Sequence, residues 1–244
     1  MALRRFALLL LAAVAAVVPA AMAAAASPTG CPAAPVQALP LPRLADAVRA
    51  GRTATIVALG SSSTQGAGAS TPDAAYPARL EAALRRGGVA VRVVNRGRGG
   101  EDVVEMLMRL EADVLAERPD VVIWQVGTNA AMRNHPLDRF TLLLREGVRE
   151  LQAAGADVVL MDSQQGPWAA RAPMRDTFDR ALADMAVEKG IPLFSRRRLM
   201  DVWAAAGTVP EAMLVQDGLH HNDRGYACLA EAVARGMRAA LPGR

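Results

Sequence analysis

Aromatic side chains are scarce, at 4% of the 244 residues. Single-stranded nucleic acid is held by stacking its bases on aromatic rings beside a basic groove, so a nucleic-acid partner is not expected. Lysine is almost missing, with Lys189 the only one, and the formal net charge is a modest +4 carried by arginine. Cysteine is limited to Cys31 and Cys228, which allows one disulfide at most. After the first 18 residues no apolar run approaches the roughly 20 residues that cross a bilayer. Hydrophobic residues nevertheless make up 52% of the chain, enough for the full core of one domain. No internal repeat or low-complexity linker divides it.

The first 26 residues read as a secretory signal peptide: Arg4 and Arg5, an apolar run from Phe6 to Val18, then Pro19 and small residues to Ala26. The small-x-small cleavage rule is met at both Ala23 and Ala26. Losing Arg4 and Arg5 leaves 26 basic against 24 acidic side chains. The mature protein is expected to be exported, periplasmic or secreted, with no integral membrane segment and as a monomer. In that compartment thiols oxidise, so Cys31 and Cys228 are expected to pair. Pro28 stands where a lipobox requires an aliphatic residue, which argues against lipid on Cys31. Residues 27–52 form a proline-rich leader and a short helix over 43–50; Pro28, Pro32, Pro35 and Pro40 keep the leader extended and, by expectation, out of the core. The remaining domain spans 53–244.

Within that domain apolar runs alternate with helical patterns. Strands are expected over 53–59, 89–94, 121–126, 158–161 and 191–194, and helices over 73–86, 102–117, 137–154, 172–188 and 223–240. The run Val121-Val122-Ile123-Trp124-Gln125-Val126 suits a strand covered on both faces, and Pro192 places the last strand at an edge. Unbroken alternation predicts an α/β fold, a three-layer α/β/α sandwich around a mostly parallel five-stranded sheet.

Polar groups collect where such a sheet keeps its sites, past the carboxyl ends of its strands. Ser62 follows the first strand, Gly100 the second and Asn129 the third, while Asp217 and His220 lie near the C-terminus. A hydroxyl, an imidazole and a carboxylate are the parts of a nucleophilic triad. An acid three residues before a histidine can orient its ring across a single turn. Gly100 has no side chain to block an oxyanion approaching its N–H, and the Asn129 amide donates without charge.

These residues carry a resemblance. Gly60-Ser61-Ser62-Ser63-Thr64 resembles the Gly-Asp-Ser-x-Thr block of the SGNH (GDSL-type) hydrolases; Asn95-x-Gly-x-x-Gly100, Gly127-Thr128-Asn129 and Asp217-x-x-His220 resemble their later blocks, in the same order. The resemblance implies a serine esterase of flavodoxin-like topology with Ser62 as nucleophile, His220 as base and Asp217 as its orienter. It places the oxyanion hole on the backbone N–H groups of Ser62 and Gly100 and the side chain of Asn129. Ser61 and Ala130 depart from the family, standing where aspartates are usual.

Other chemistries fit less well. No Lys-Ser/Thr pair follows the glycine-rich turn, which argues against a P-loop, and Thr64 breaks the Gly-x-Ser-x-Gly elbow of the α/β-hydrolases. Asp217, His220 and His221 lack further metal ligands, so neither metal nor cofactor is called for. His221 reads as a neighbour of the base, His135 as a solvated turn residue and Arg196-Arg197-Arg198 as an exposed face. Gln164 and Trp168 are the residues expected to line a substrate pocket. The expected substrate is a small-molecule or carbohydrate ester, with O-acetylated carbohydrate ahead of short-acyl or lysophospholipid esters. The non-enzymatic alternative is an envelope or carbohydrate-binding protein on the same fold.

Overall fold

Successive residues of the first strand, β1 (Ala54–Gly60), face opposite layers of the protein. Ala54, Ile56 and Ala58 join one apolar cluster, and Val57 and Leu59 join another on the opposite face. The same alternation recurs in β3 (Val121–Gln125), where Val121 and Ile123 face the first cluster and Val122 and Trp124 the second. This is the period of two expected of a sheet buried on both sides. Each such leucine, valine or isoleucine withdrawn from water contributes roughly 1.5–3 kcal/mol.

The computed structural model describes residues 30–241. The expected signal peptide lies outside them. Among the described residues five strands form one sheet in the order β2-β1-β3-β4-β5, with β2 at Val91–Gly97, β4 at Asp157–Met161 and β5 at Leu193–Phe194. Every pairing is parallel. This is the flavodoxin-like order, whose reversal between β1 and β3 opens a crevice at their carboxyl ends. Register brings the site's parts together there, since Gly60 lies opposite Gly97 and Leu59 opposite Trp124.

Helices α1 (Pro42–Arg49), α3 (Tyr76–Arg86), α8 (Arg196–Ala205) and α9 (Asp223–Ala239) bury their apolar faces in the first cluster. Helices α4 (Val103–Met108), α6 (Leu137–Ala153) and α7 (Arg175–Lys189) cover the other face. Two short helices, α2 (Ser62–Gln65) and α5 (Thr128–Met132), begin directly after β1 and β3. The expectation missed both, along with α8.

Three expectations are corrected. The helix expected over 73–86 begins only at Tyr76, preceded by a 3₁₀ turn at Pro72–Ala74, because Pro77 disfavours helical backbone before it and is accommodated in the first turn. The helix expected over 102–117 breaks after Met108 into a π turn at Leu110–Val114 and a 3₁₀ turn at Leu115–Glu117. At the break the Arg109 side chain turns inward to the carbonyls of Arg96 (2.8 Å) and Gly60 (3.5 Å). The leader is extended but not outside the core. Leu39 and Leu41 are buried, the Leu39 N–H donates to Gly236 O on α9, and Gln37 exchanges two hydrogen bonds with the Ser195 backbone. Cys31 is bonded to Cys228 in α9, which anchors the leader's start.

Candidate active site

The turn after β1 presents one hydroxyl of its cluster and buries the others. Ser61, Ser63 and Thr64 are buried, whereas Ser62, the first residue of α2, is partly open. The Ser61 N–H (3.0 Å), the Ser61 hydroxyl (3.1 Å) and the Thr64 hydroxyl (3.2 Å) all donate to Gln125 Oε1 at the end of β3. A Cβ on Gly60 would lie 2.2 Å from Thr64 Oγ1, and one on Gly97 would lie 2.0 Å from the Gln65 nitrogen. Only glycine lets the turn fold back so tightly over the strand ends.

His220 reaches Ser62 from the far end of the chain. Its Nε2 lies 2.7 Å from Ser62 Oγ and its Nδ1 lies 2.6 Å from Asp217 Oδ2. The other Asp217 oxygen accepts the backbone N–H groups of Leu219 (2.8 Å) and His220 (2.9 Å). Burial works to raise the Asp217 carboxyl, but the hydrogen bonds from the His220 side chain and from these two N–H groups outweigh it and hold the carboxyl below its ordinary value. The carboxylate is thus fixed in its ionised form, able to orient an imidazole and to stabilise its cation.

The adjacent histidine is turned inward. His221 is buried, its Nδ1–H donates to Met213 O at 3.1 Å, and its ring packs edge-on to Tyr226. Burial, with Arg196 nearby, lowers its pKa to about 3.

The loop carrying Gly100 is pinned to α5 and the turn after it at three successive residues. The Arg133 guanidinium donates to Gly100 O (2.6 Å), the Asn129 amide donates to Glu101 O (2.7 Å), and His135 Nδ1 meets Asp102 Oδ2 (2.7 Å). The Gly100 N–H has no acceptor among the described residues. As the first helical residue, Ser62 offers an N–H that helix geometry leaves unused. Asn129 keeps one of its two amide hydrogens. Each of these three residues therefore retains an N–H that no group among the described residues accepts. His135, read from the sequence as a solvated turn residue, does stay partly exposed after its turn, but the buried Asp102 carboxylate also holds it.

Gln164 and Trp168 do not line a pocket. Both are fully buried; the Gln164 amide donates to Leu219 O at 2.7 Å, and the Trp168 indole donates to Gln164 O at 3.2 Å. They brace the loop that carries Asp217 and His220 from behind. Arg196 also departs from expectation. It is fully buried, with Nε donating to Asp162 O at 2.7 Å, while Arg197 is partly open and only Arg198 is exposed. Burial lowers the Arg196 pKa, partly offset by Asp162.

Gln125 and Arg109 escaped the sequence reading. Gln125 did leave a signal, a lone amide inside an apolar strand, since a buried polar side chain requires partners. Arg109 links the carbonyls at the ends of β1 and β2 to Glu101, which its Nε meets at 2.7 Å, and nothing local marks it. Among the described residues no cluster of three or more His, Cys, Asp or Glu side chains could hold a metal ion.

The sequence profile of the Non-GDSL lipase-like family matches residues 28–241. That description suits a nucleophile block whose second residue is Ser61. An acetylxylan esterase of Geobacillus stearothermophilus is 29% identical over 161 residues, covering 60% of this chain and 72% of that protein. An arylesterase of Vibrio mimicus is 27% identical over 162 residues, covering 66% and 76%. Among solved structures, a lipolytic protein of the G-D-S-L family from Desulfitobacterium hafniense superposes with a TM-score of 0.66 at 25% identity, over 76% of this chain and all of that one.

Proposed function

The chain belongs to the Non-GDSL lipase-like family and is a carboxylic ester hydrolase, and from that premise we propose that it is an exported serine esterase removing O-acetyl groups from carbohydrate. The observation that carries the mechanism is His220 bridging Ser62 and Asp217 at 2.7 and 2.6 Å. A serine hydroxyl is a weak nucleophile until a base takes its proton. Ser62 Oγ attacks the ester carbonyl carbon while His220 Nε2 takes the hydroxyl proton. The carbonyl π electrons move to oxygen, and the N–H groups of Ser62 and Gly100 with the Asn129 amide stabilise that charge. Collapse expels the sugar oxygen, which takes the proton from His220 and leaves an acetyl group on Ser62. Water, deprotonated by His220, attacks the acetyl-enzyme; acetate departs and Ser62 recovers its proton.

The open setting of Ser62 supports a polymer or oligomer as the alcohol side, and the acetylxylan esterase among its relatives supports acetyl as the acyl group. Export is supported by the signal-like residues 1–26 and by the Cys31–Cys228 bond, which persists in oxidising compartments.

Fluorophosphonate labelling and hydrolysis of 4-nitrophenyl acetate and acetylated xylotriose by wild type and Ser62→Ala test the reading. The expected result is labelling and acetate release by wild type and neither by Ser62→Ala. An unlabelled wild type that still binds xylotriose supports the non-enzymatic alternative, and labelling confined to Ser61 or Ser63 overturns the choice of nucleophile.

A further inference from the structure

A second concavity opens beside the oxyanion loops. It has a volume of about 260 Å³ and lies between the start of α4, the end of α5 and the first turns of α6. Asp102 and Ala130 form part of its wall, two residues and one residue beyond the oxyanion donors Gly100 and Asn129. Consecutive Cα atoms are 3.8 Å apart, so this wall starts within about 8 Å of those donors. That separation is on the scale of one sugar ring.

The lining has a definite chemistry. Val103, Ala130 and Phe140 give a buried apolar floor, and Leu143 closes one side. The carboxylates at the wall are already engaged. Asp102 accepts the Val104 N–H and meets His135, and Glu105 accepts the Asp102 N–H, in the capping box of α4. The wall is therefore not a cation site. Two polar groups remain available at the rim. With its Nδ1–H directed to Asp102, His135 keeps a lone pair on Nε2 to accept a hydroxyl. Arg139 is exposed and has no ion pair among the described residues, so its fork of donors is unused.

An apolar floor under one acceptor and one set of donors matches a pyranose, which presents a C–H face and hydroxyls around its edge. The volume is small against the roughly 300–1,000 Å³ of drug-sized pockets, which suits a single ring. We propose that this cavity is a saccharide subsite, holding an unmodified sugar of the chain next to the one whose acetyl group lies over Ser62. The proposal rests on the esterase reading for its substrate and adds where the rest of the glycan is held.

Two measurements test it. Titration calorimetry with unacetylated xylotriose needs no turnover and reads the subsite whether or not the esterase reading stands. Binding by wild type should weaken about tenfold in Arg139→Ala, the factor expected when one hydrogen-bonding side chain to a ligand is lost, and should vanish in Leu143→Trp, which fills the cavity. The second measurement is kcat/KM for acetylated xylotriose divided by that for 4-nitrophenyl acetate. This ratio should fall about tenfold in Arg139→Ala, through KM of the oligosaccharide. Because Arg139 is exposed, its replacement tests the idea even if Leu143→Trp does not fold. No calorimetric binding by wild type, or a ratio unmoved by Arg139→Ala, overturns the proposal. So does a loss confined to 4-nitrophenyl hexanoate relative to the acetate, which would make the cavity an acyl pocket. A wild type that binds xylotriose but hydrolyses neither ester would sink the esterase reading and leave the subsite standing.

Discussion

A single oxygen, Gln125 Oε1, accepts both the backbone N–H and the hydroxyl of Ser61, at 3.0 and 3.1 Å. With the Thr64 hydroxyl as a third donor, one amide at the end of β3 shapes the turn that presents Ser62. Gln125→Ala should leave buried donors without an acceptor, at about 1–3 kcal/mol for each group left unsatisfied. The expected result is a lower melting temperature together with a lower kcat on 4-nitrophenyl acetate. Ser61→Ala removes only one donor and should cost less in both. Equal melting temperatures for wild type and Gln125→Ala would contradict this role.

Asn129 uses one amide hydrogen to tether Glu101, and the proposed mechanism gives the other to the substrate oxyanion. Asn129→Ala should lower kcat by roughly 10²–10³-fold, the loss typical of removing one oxyanion donor, with a much smaller change in KM. Steady-state kinetics decide the matter, since a rise in KM alone would make Asn129 a binding residue.

Asp217 meets His220 with one oxygen and the loop backbone with the other. Asp217→Asn should keep the loop but remove the charge that favours the working tautomer, cutting kcat by about 10⁴-fold while a residual rate survives from the oxyanion donors. In the same assay His220→Ala should be inactive and His221→Ala should lose stability. The reverse order would move the base to His221, whose ring is turned into the core.

Two buried groups should bend the stability profile in opposite directions. Burial, aided by Asp179, raises the Asp162 carboxyl from 3.8 to about 7. The folded protein then keeps a proton that the unfolded chain releases, so this contribution is full below pH 3.8 and is lost as pH rises through 7. His221, lowered from 6.5 to about 3 chiefly by burial, contributes fully above pH 6.5 and loses that contribution as pH falls through 3. Thermal melts across this range should show Asp162→Asn weakening the loss on the alkaline side and His221→Gln weakening the loss on the acid side. Parallel profiles for wild type and both variants would contradict these assignments.

The Cys31–Cys228 bond closes a loop of 197 residues. Chain entropy allows roughly 5 kcal/mol of stabilisation for so long a loop, an upper figure for real proteins. Reduction, or the double substitution Cys31→Ser and Cys228→Ser, should lower the melting temperature and expose the leader to proteolysis near Leu39. Non-reducing mass spectrometry of exported protein should find no free thiol.

Much of this is readable along the chain, because the features concerned are local. Continuous apolar runs mark β1 and β3, glycine closes α7, and the ordered groups Gly60 to Thr64, Asn95 to Gly100, Gly127 to Asn129 and Asp217 to His220 stand past strands or in a loop whose positions follow from the α/β pattern. What no local pattern carries is the direction in which a side chain turns once distant segments meet. Arg196 lies in a run of three arginines that reads as surface, yet the Asp162 carbonyl draws it inside. Gln164 and Trp168 stand where a substrate loop is expected, yet the backbone of residue 219 needed a buried donor. His135 resembles any histidine before a proline until Asp102, 33 residues away, reaches it. Each of these outcomes follows from burying polar groups, which must find partners wherever the fold supplies them, and those partners are close in space but far apart in the chain.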